Sequence, residues 1–167
     1  MGPLNASAQP PPEQCARDRA AGRRTDSERR QTNERQHDCV ERMIAEALAP
    51  VLADIRATGA PEPTVFDGDW DPELQSTVHL VRADGSGQGV GVLRRTNRAN
   101  RVVQAADGVQ EWVIETLWSE RRPTNWPVCP AHPDTHPMSA VLLRKQPMWQ
   151  CPELRGVHIL IGALQVP

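Results

Sequence analysis

Residues 126–153 read WPVCPAHPDTHPMSAVLLRKQPMWQCPE, and this proline-broken stretch contains two of the four cysteines and two of the five histidines of the 167-residue chain. Cys129, His132, His136 and Cys151 follow the spacing C-x2-H-x3-H-x14-C. The first interval is that of a tight turn that directs two ligands at one point. The clustering of such residues in a segment with little core of its own predicts a metal site.

Thiolate and imidazole are ligands that zinc prefers, and two of each complete a tetrahedral shell. The two thiolates balance the charge of Zn²⁺, so the closed site is formally neutral. We therefore predict a structural zinc site with four ligands: Cys129, His132, His136 and Cys151.

The segment SAVLLRKQPMWQ, residues 139–150, has the length of a short hairpin that returns Cys151 to the first two ligands. Trp126 and Trp149 could shield the metal from water. His158 is a rival to His136 as the fourth ligand, because it follows Cys151 closely in the final apolar run. The alternative interpretation is that the cysteines are ordinary buried thiols and the histidines belong to a surface loop.

His132 and His136 also have the i, i+4 spacing of the zinc-protease motif H-E-x-x-H. That motif requires a helix and a glutamate directly after the first histidine. Here Pro133 takes the place of the glutamate, and Pro137 is a second residue that opposes a helix. The sequence therefore argues against a hydrolase of this type, and no catalytic constellation is recognised.

Residues 38–57, DCVERMIAEALAPVLADIRA, predict an amphipathic helix, because apolar side chains recur three and four positions apart. The predicted stripe comprises Val40, Ile44, Ala47, Val51 and Ile55. Asp54 is among the charged residues predicted to lie off this stripe. We expect the stable helix to begin between Asn33 and Asp38, and Pro50 to kink or split it.

A second helix is predicted in residues 100–120, with an apolar stripe of Val102, Ala106, Val109, Val113 and Leu117. Between the helices, residues 59–73 are predicted to form a loop, and residues 76–96 a β-hairpin around the glycine-rich connector DGSGQG. Residues 156–166 predict a final strand. This order of elements indicates a small α+β domain.

Residues 1–32 are rich in Pro, Arg, Gln and Ser, so we expect a disordered arm ahead of a single domain at 33–167, with the zinc-type knuckle at 126–153. No secretory signal or membrane span is apparent. The expected location is therefore the cytoplasm, where cysteines more often bind metals than form disulfides.

The pattern WPVCPAHPDTHP followed by MWQCP, preceded by the helix VQEWVIETLW, resembles a group of small actinobacterial and actinophage proteins. Members of that group carry the motif WPxCPxHPxxHP…WxCP. The resemblance covers about residues 98–162 and implies the same four ligands without implying a reaction. For a phage-encoded chain it allows a location in the virion.

The sequence thus favours a non-enzymatic, zinc-stapled binding or structural protein, meaning one whose fold is cross-linked by the metal. The expected partner is another protein or a second copy of the chain. The alternatives are a phage virion or assembly component that docks to neighbouring subunits, and a nucleic-acid-binding regulator. The last is less favoured because the net charge is −2 and the chain has one Phe and no Tyr for base stacking.

Overall fold

The computed structural model describes residues 26–68 and 75–165. Over these residues the fold is α+β, as predicted, with two helices and two antiparallel three-stranded sheets. In chain order the elements are α1 (Asp26–Thr58), β1 (Thr64–Asp67), β2 (Gln75–Val81), β3 (Gly87–Leu93), α2 (Arg98–Ser119), β4 (Ser139–Leu143), β5 (Gln146–Gln150) and β6 (His158–Leu160).

The chain divides after Val40 into two units, and the second, residues 41–167, contains both sheets and α2. The predicted domain at 33–167 therefore includes this unit entirely. Most of the predicted disordered arm, residues 1–25, lies outside the described residues. Within residues 26–68 and 75–165, neither helix has an apolar stretch long enough to cross a membrane.

Helix α1 begins at Asp26, earlier than the predicted start between Asn33 and Asp38. Residues 26–32 are DSERRQT, and Glu, Arg and Gln are strong helix formers. Extending an existing helix avoids the cost of a new nucleus, so this segment needs no apolar face of its own. The helix also continues through Pro50, which does not split it.

The first sheet has the strand order β1-β2-β3. The predicted hairpin is confirmed as β2 and β3, with Val78 opposite Val90 and Ser76 opposite Val92. Strand β1 lies in the segment predicted to be a loop and pairs with β2 through Thr64 and Val81. Its four residues are all exposed at the edge of the sheet, so the sequence has no buried alternation there to indicate a strand.

The second sheet has the strand order β4-β5-β6. Strands β4 and β5 are the hairpin predicted for residues 139–150, and Ala140 lies opposite Trp149. Strand β6 lies within the predicted final run but is shorter than that run, because the chain turns again after it. Gly162 adopts a φ of +97° in this turn. A Cβ on this glycine would also lie 2.8 Å from the Cβ of Pro50, so the turn packs closely on α1.

Helix α2 supplies much of the core of residues 41–167. All five residues of its predicted stripe are buried, and Val113 is fully so. Gly108, which lowers helix propensity, lies where α2 meets β3: a Cβ there would be 3.0 Å from Cγ1 of Val90. The glycine therefore permits close packing of the helix on the first sheet.

Asp54 is the clearest correction to the sequence interpretation, because this residue, predicted off the apolar stripe, is completely buried. Its Oδ2 accepts hydrogen bonds from the Trp149 indole at 2.7 Å and from the Gly162 amide at 2.8 Å. Its Oδ1 accepts one from the Leu164 amide at 2.8 Å. Burial raises the pKa of this carboxyl, although the three donors act in the opposite direction.

We predict that Val113→Asp prevents folding of residues 41–167, because an unpaired carboxylate placed in the core costs several kcal/mol. Glu111→Asp on the exposed side of α2 serves as the control and should leave the melting temperature nearly unchanged. Thermal denaturation followed by circular dichroism measures both variants. A folded Val113→Asp protein would contradict the packing described here.

We also predict that Asp54→Asn lowers the free energy of unfolding by about 2–4 kcal/mol at neutral pH, because the new amide group cannot accept from all three buried donors. Glu46→Gln on the same helix is the control, since Glu46 takes no part in the hydrogen bonds of Asp54. Urea denaturation gives the two values. Equal stability of the two variants would contradict this assignment.

The difference in stability between wild type and Asp54→Asn should depend on pH, and the direction follows from the pKa of Asp54. Because the folded-state pKa of Asp54 is raised above its ordinary value of 3.8, the protonated carboxyl is favoured by folding. The stabilisation from this titration is complete below about pH 3.8 and is lost as the pH rises through the folded-state pKa. The stability difference between wild type and Asp54→Asn should therefore widen as the pH is lowered from neutral.

Candidate metal centre

The first three predicted ligands lie in the loop of residues 127–138. The His132 amide donates to the Cys129 carbonyl at 3.1 Å, which closes a tight turn between them, and the Thr135 amide donates to the His132 carbonyl at 3.2 Å. A bridge between Val128 and Pro137 joins the two ends of the loop. The loop thus folds back on itself and places Cys129, His132 and His136 on one short, closed segment.

Cys151 enters the site from the second sheet, directly after the end of β5. Its amide donates to the Val157 carbonyl at 2.9 Å, and the turn that follows brings the Leu154 amide to 3.1 Å from its Sγ. The sulfur of a cysteine binds metals as the thiolate. The turn of residues 151–154 orients this sulfur through the contact with the Leu154 amide.

The donor atoms of the four predicted residues all lie within 4.8 Å of one another. Nδ1 of His132 is 3.7 Å from Sγ of Cys129 and 3.4 Å from Sγ of Cys151, and Nε2 of His136 is 3.8 Å from Sγ of Cys151. A tetrahedral zinc ion with ordinary bond lengths separates sulfur from nitrogen by about 3.5 Å. These three sulfur–nitrogen separations are close to those of a tetrahedral ligand shell.

The two histidines present different nitrogens to the sulfurs. His136 directs Nε2 inward, and its Nδ1 lies 2.9 Å from the Pro137 carbonyl, the geometry in which Nδ1–H donates and Nε2 keeps its lone pair. His132 directs Nδ1 inward instead. The two rings lie 4.8 Å apart with a tilt of 43°. Both can therefore donate a lone pair to one point between the thiols.

The sulfurs are on the inner side of the site. Cys129 and Cys151 are both fully buried free thiols, whereas His132 and His136 are half-buried. Tryptophans Trp126 and Trp149 are buried as well, with ring centroids 5.6 Å apart in an edge-to-face arrangement. The site thus has an apolar inner side and partly solvated imidazoles on its outer side.

The same tryptophans connect the site to α1. The Trp126 indole donates to Oγ1 of Thr58 at 2.9 Å, and the Trp149 indole donates to Asp54. On the α2 side, the Gln110 amide donates to the carbonyls of Trp126 and Met138. The loop and β5 are therefore positioned against both helices by buried hydrogen bonds.

The structure brings together the four residues predicted from their spacing, and the donor group includes His136 rather than the rival His158. His158 is exposed on β6, opposite Gln150. Sequence reasoning overlooked Glu153, whose carboxylate lies 3.5 Å from Nε2 of His132. Its position two residues after a ligand cysteine was the available signal.

Comparison with known protein families, curated proteins and solved structures finds no match for this chain in any of the three. Two thiols and two imidazoles, brought this close and with the sulfurs buried, form a Cys₂His₂ cluster that could hold a metal ion.

We predict that removal of any one donor reduces metal affinity by more than the roughly 10–100-fold typical of an outer-shell change. The variants are Cys129→Ser, His132→Ala, His136→Ala and Cys151→Ser. His158→Ala is the matched control and should retain the metal, because His158 is not in the donor group. Metal content after dialysis, measured by elemental mass spectrometry, distinguishes them. Retention by His136→Ala together with loss by His158→Ala would overturn the choice of fourth ligand.

Proposed function

We propose that this protein is a non-enzymatic, zinc-stapled binding or structural protein, in which one zinc ion is held by Cys129, His132, His136 and Cys151. The observation that supports it most directly is that the four donor atoms lie within 4.8 Å of one another. Three of the four sulfur–nitrogen separations are 3.4–3.8 Å, close to an edge of a tetrahedral zinc shell. The donor set supports zinc over calcium or magnesium, which take oxygen ligands.

The number of donors supports a structural role. A catalytic zinc site keeps one coordination position open for water or substrate, whereas a structural site uses four protein ligands. Here four side chains converge, and the two thiolates neutralise the charge of the ion. Such a centre stabilises a fold without activating a water molecule.

The need for a cross-link follows from the size of the second sheet. Its strands contain five, five and three residues, and the loop that supplies three of the donors has no regular secondary structure. The loop is held by turns and one bridge rather than by strand pairing, so a metal would add a cross-link that the sheet does not supply. A zinc ion joins the loop of residues 127–138 to the end of β5.

A protein partner or a second copy of the chain is the class of partner that we propose. Apolar side chains are exposed in the loop, on β4, in the turn after Cys151 and on β6, namely Val128, Leu142, Leu154 and Leu160. This supports a role in which the metal-stabilised region presents a surface for contact.

Elemental analysis and native mass spectrometry of the purified protein test the proposal together. We expect one zinc per chain, and the measured mass gives the oligomeric state of the same sample. Protein that contains no zinc as isolated and takes up none when zinc is added would refute the metal assignment. A discrete oligomer would favour self-association, and a monomer would favour a different protein partner.

We predict that a strong chelator increases amide hydrogen exchange throughout residues 124–155, because structural zinc contributes folding free energy of order 10 kcal/mol in small zinc domains. Amides of α2 around Trp112 should stay protected, since this residue is 1% exposed within a hydrophobic core to which both helices and the first sheet contribute. Hydrogen exchange with mass spectrometry resolves the two regions. Uniform loss of protection would show that the metal stabilises the entire unit.

A further inference from the structure

We infer that Glu153 positions His132 for metal binding, by accepting a hydrogen bond from the Nε2–H of that ring. The inference rests on the proposed metal site and adds a residue to it. Oε2 of Glu153 lies 3.5 Å from Nε2 of His132. The Glu153 side chain is 60% exposed, so a small rotation of this flexible group closes the distance without moving the fold.

The orientation of His132 requires a hydrogen-bond acceptor at its outer nitrogen, Nε2. Because Nδ1 faces both sulfurs, Nδ1 must carry the lone pair and Nε2 must carry the proton. Metal-binding histidines usually donate their other N–H to a carboxylate or a carbonyl, which fixes the tautomer and the ring orientation. Within the described part of the chain, the Glu153 carboxylate is the acceptor that lies opposite Nε2 of His132.

His136 has no comparable need, because its outer nitrogen already has a partner in the chain. Nδ1 of His136 lies 2.9 Å from the Pro137 carbonyl of the adjacent residue. Glu153 approaches the inward-facing Nε2 of His136 only to 4.0 Å. The two histidines are thus fixed by different means, one by the backbone of its own loop and one by a side chain from another segment.

The position of Glu153 is set by the turn that presents Cys151. The Leu154 amide donates to Sγ of Cys151 at 3.1 Å, and the Val157 amide donates to the Leu154 carbonyl at 2.9 Å. Pro152 restricts the backbone between the thiol and the carboxylate. Formation of this turn therefore brings a ligand and the outer-shell carboxylate to the site together.

Glu153 is assigned outside the ligand shell rather than within it. The group of donors that lie within 4.8 Å of one another contains the two thiols and two imidazoles and does not include this carboxylate. A positioning role also accounts for its high exposure, which a negatively charged ligand bound to an enclosed ion would not have. The proposal therefore concerns the orientation of His132, with no change in the four ligands.

Cobalt(II), whose visible absorption reports the ligand set, is the probe for the test. Wild type, Glu153→Ala, Glu153→Gln and the control Asp134→Asn are titrated with cobalt in competition with a chelator of known affinity. Asp134 is an exposed carboxylate between the two histidines in sequence, so its variant removes the same charge from the loop that carries them.

We expect the dissociation constant for cobalt to rise about 10–100-fold in Glu153→Ala. It should rise less in Glu153→Gln, because an amide oxygen still accepts the hydrogen bond, and remain unchanged in Asp134→Asn. Nuclear magnetic resonance of the zinc-loaded proteins should show a slowly exchanging Nε2 proton on His132 in wild type and Glu153→Gln. That proton should exchange faster in Glu153→Ala.

Failure of the positioning role can be distinguished from failure of the proposed metal site. If wild type binds cobalt and Glu153→Ala binds it equally well, or if Asp134→Asn is weakened as much, the positioning role is overturned while the metal site stands. An altered cobalt absorption spectrum in Glu153→Ala would show that Glu153 is itself a ligand, which also overturns it. If wild type binds neither cobalt nor zinc, the proposed function falls and the inference with it.

Discussion

A single buried carboxylate connects α1 to the far end of the chain. Asp54 accepts hydrogen bonds from Trp149, Gly162 and Leu164, which lie 95, 108 and 110 positions away in sequence. Burying this carboxylate without donors would cost several kcal/mol, so α1 is stable in its packed position only when the C-terminal segments are docked on it. Burial still raises its pKa, which shows that the donors offset the desolvation only in part.

The candidate metal centre depends on this connection through β5. Trp149, which donates to Asp54, stands two residues before Cys151, so the hydrogen bond that fixes the strand also fixes the approach of the thiol. Trp126 makes the equivalent connection for the loop by donating to Thr58. The two halves of the donor set are therefore brought to one place by α1, and a metal ion bound there would join segments that the helix has already aligned.

The sequence by itself determined the features that follow from local periodicity and local spacing. The stripe of α2 is visible because apolar residues at helical intervals must face one side, and its burial requires no knowledge of what covers it. The hairpins follow from β-prone runs around turns. The C-x2-H-x3-H-x14-C pattern identified the four clustered donors, since a loop of that length can present three of them and a short hairpin returns the fourth.

Only the tertiary structure decided the features that depend on contacts between distant segments. As a charged residue, Asp54 was predicted to lie off the apolar stripe. Its burial could not be predicted, because the three groups that donate to it lie about a hundred positions away in sequence. The choice of His136 over His158 depended on the register of β6, which turns the latter to an exposed position. Glu153 lies against His132 because the turn after β5 meets a loop from earlier in the chain. In each case the physical cause is a polar group whose partner comes from another part of the sequence, which no local pattern contains.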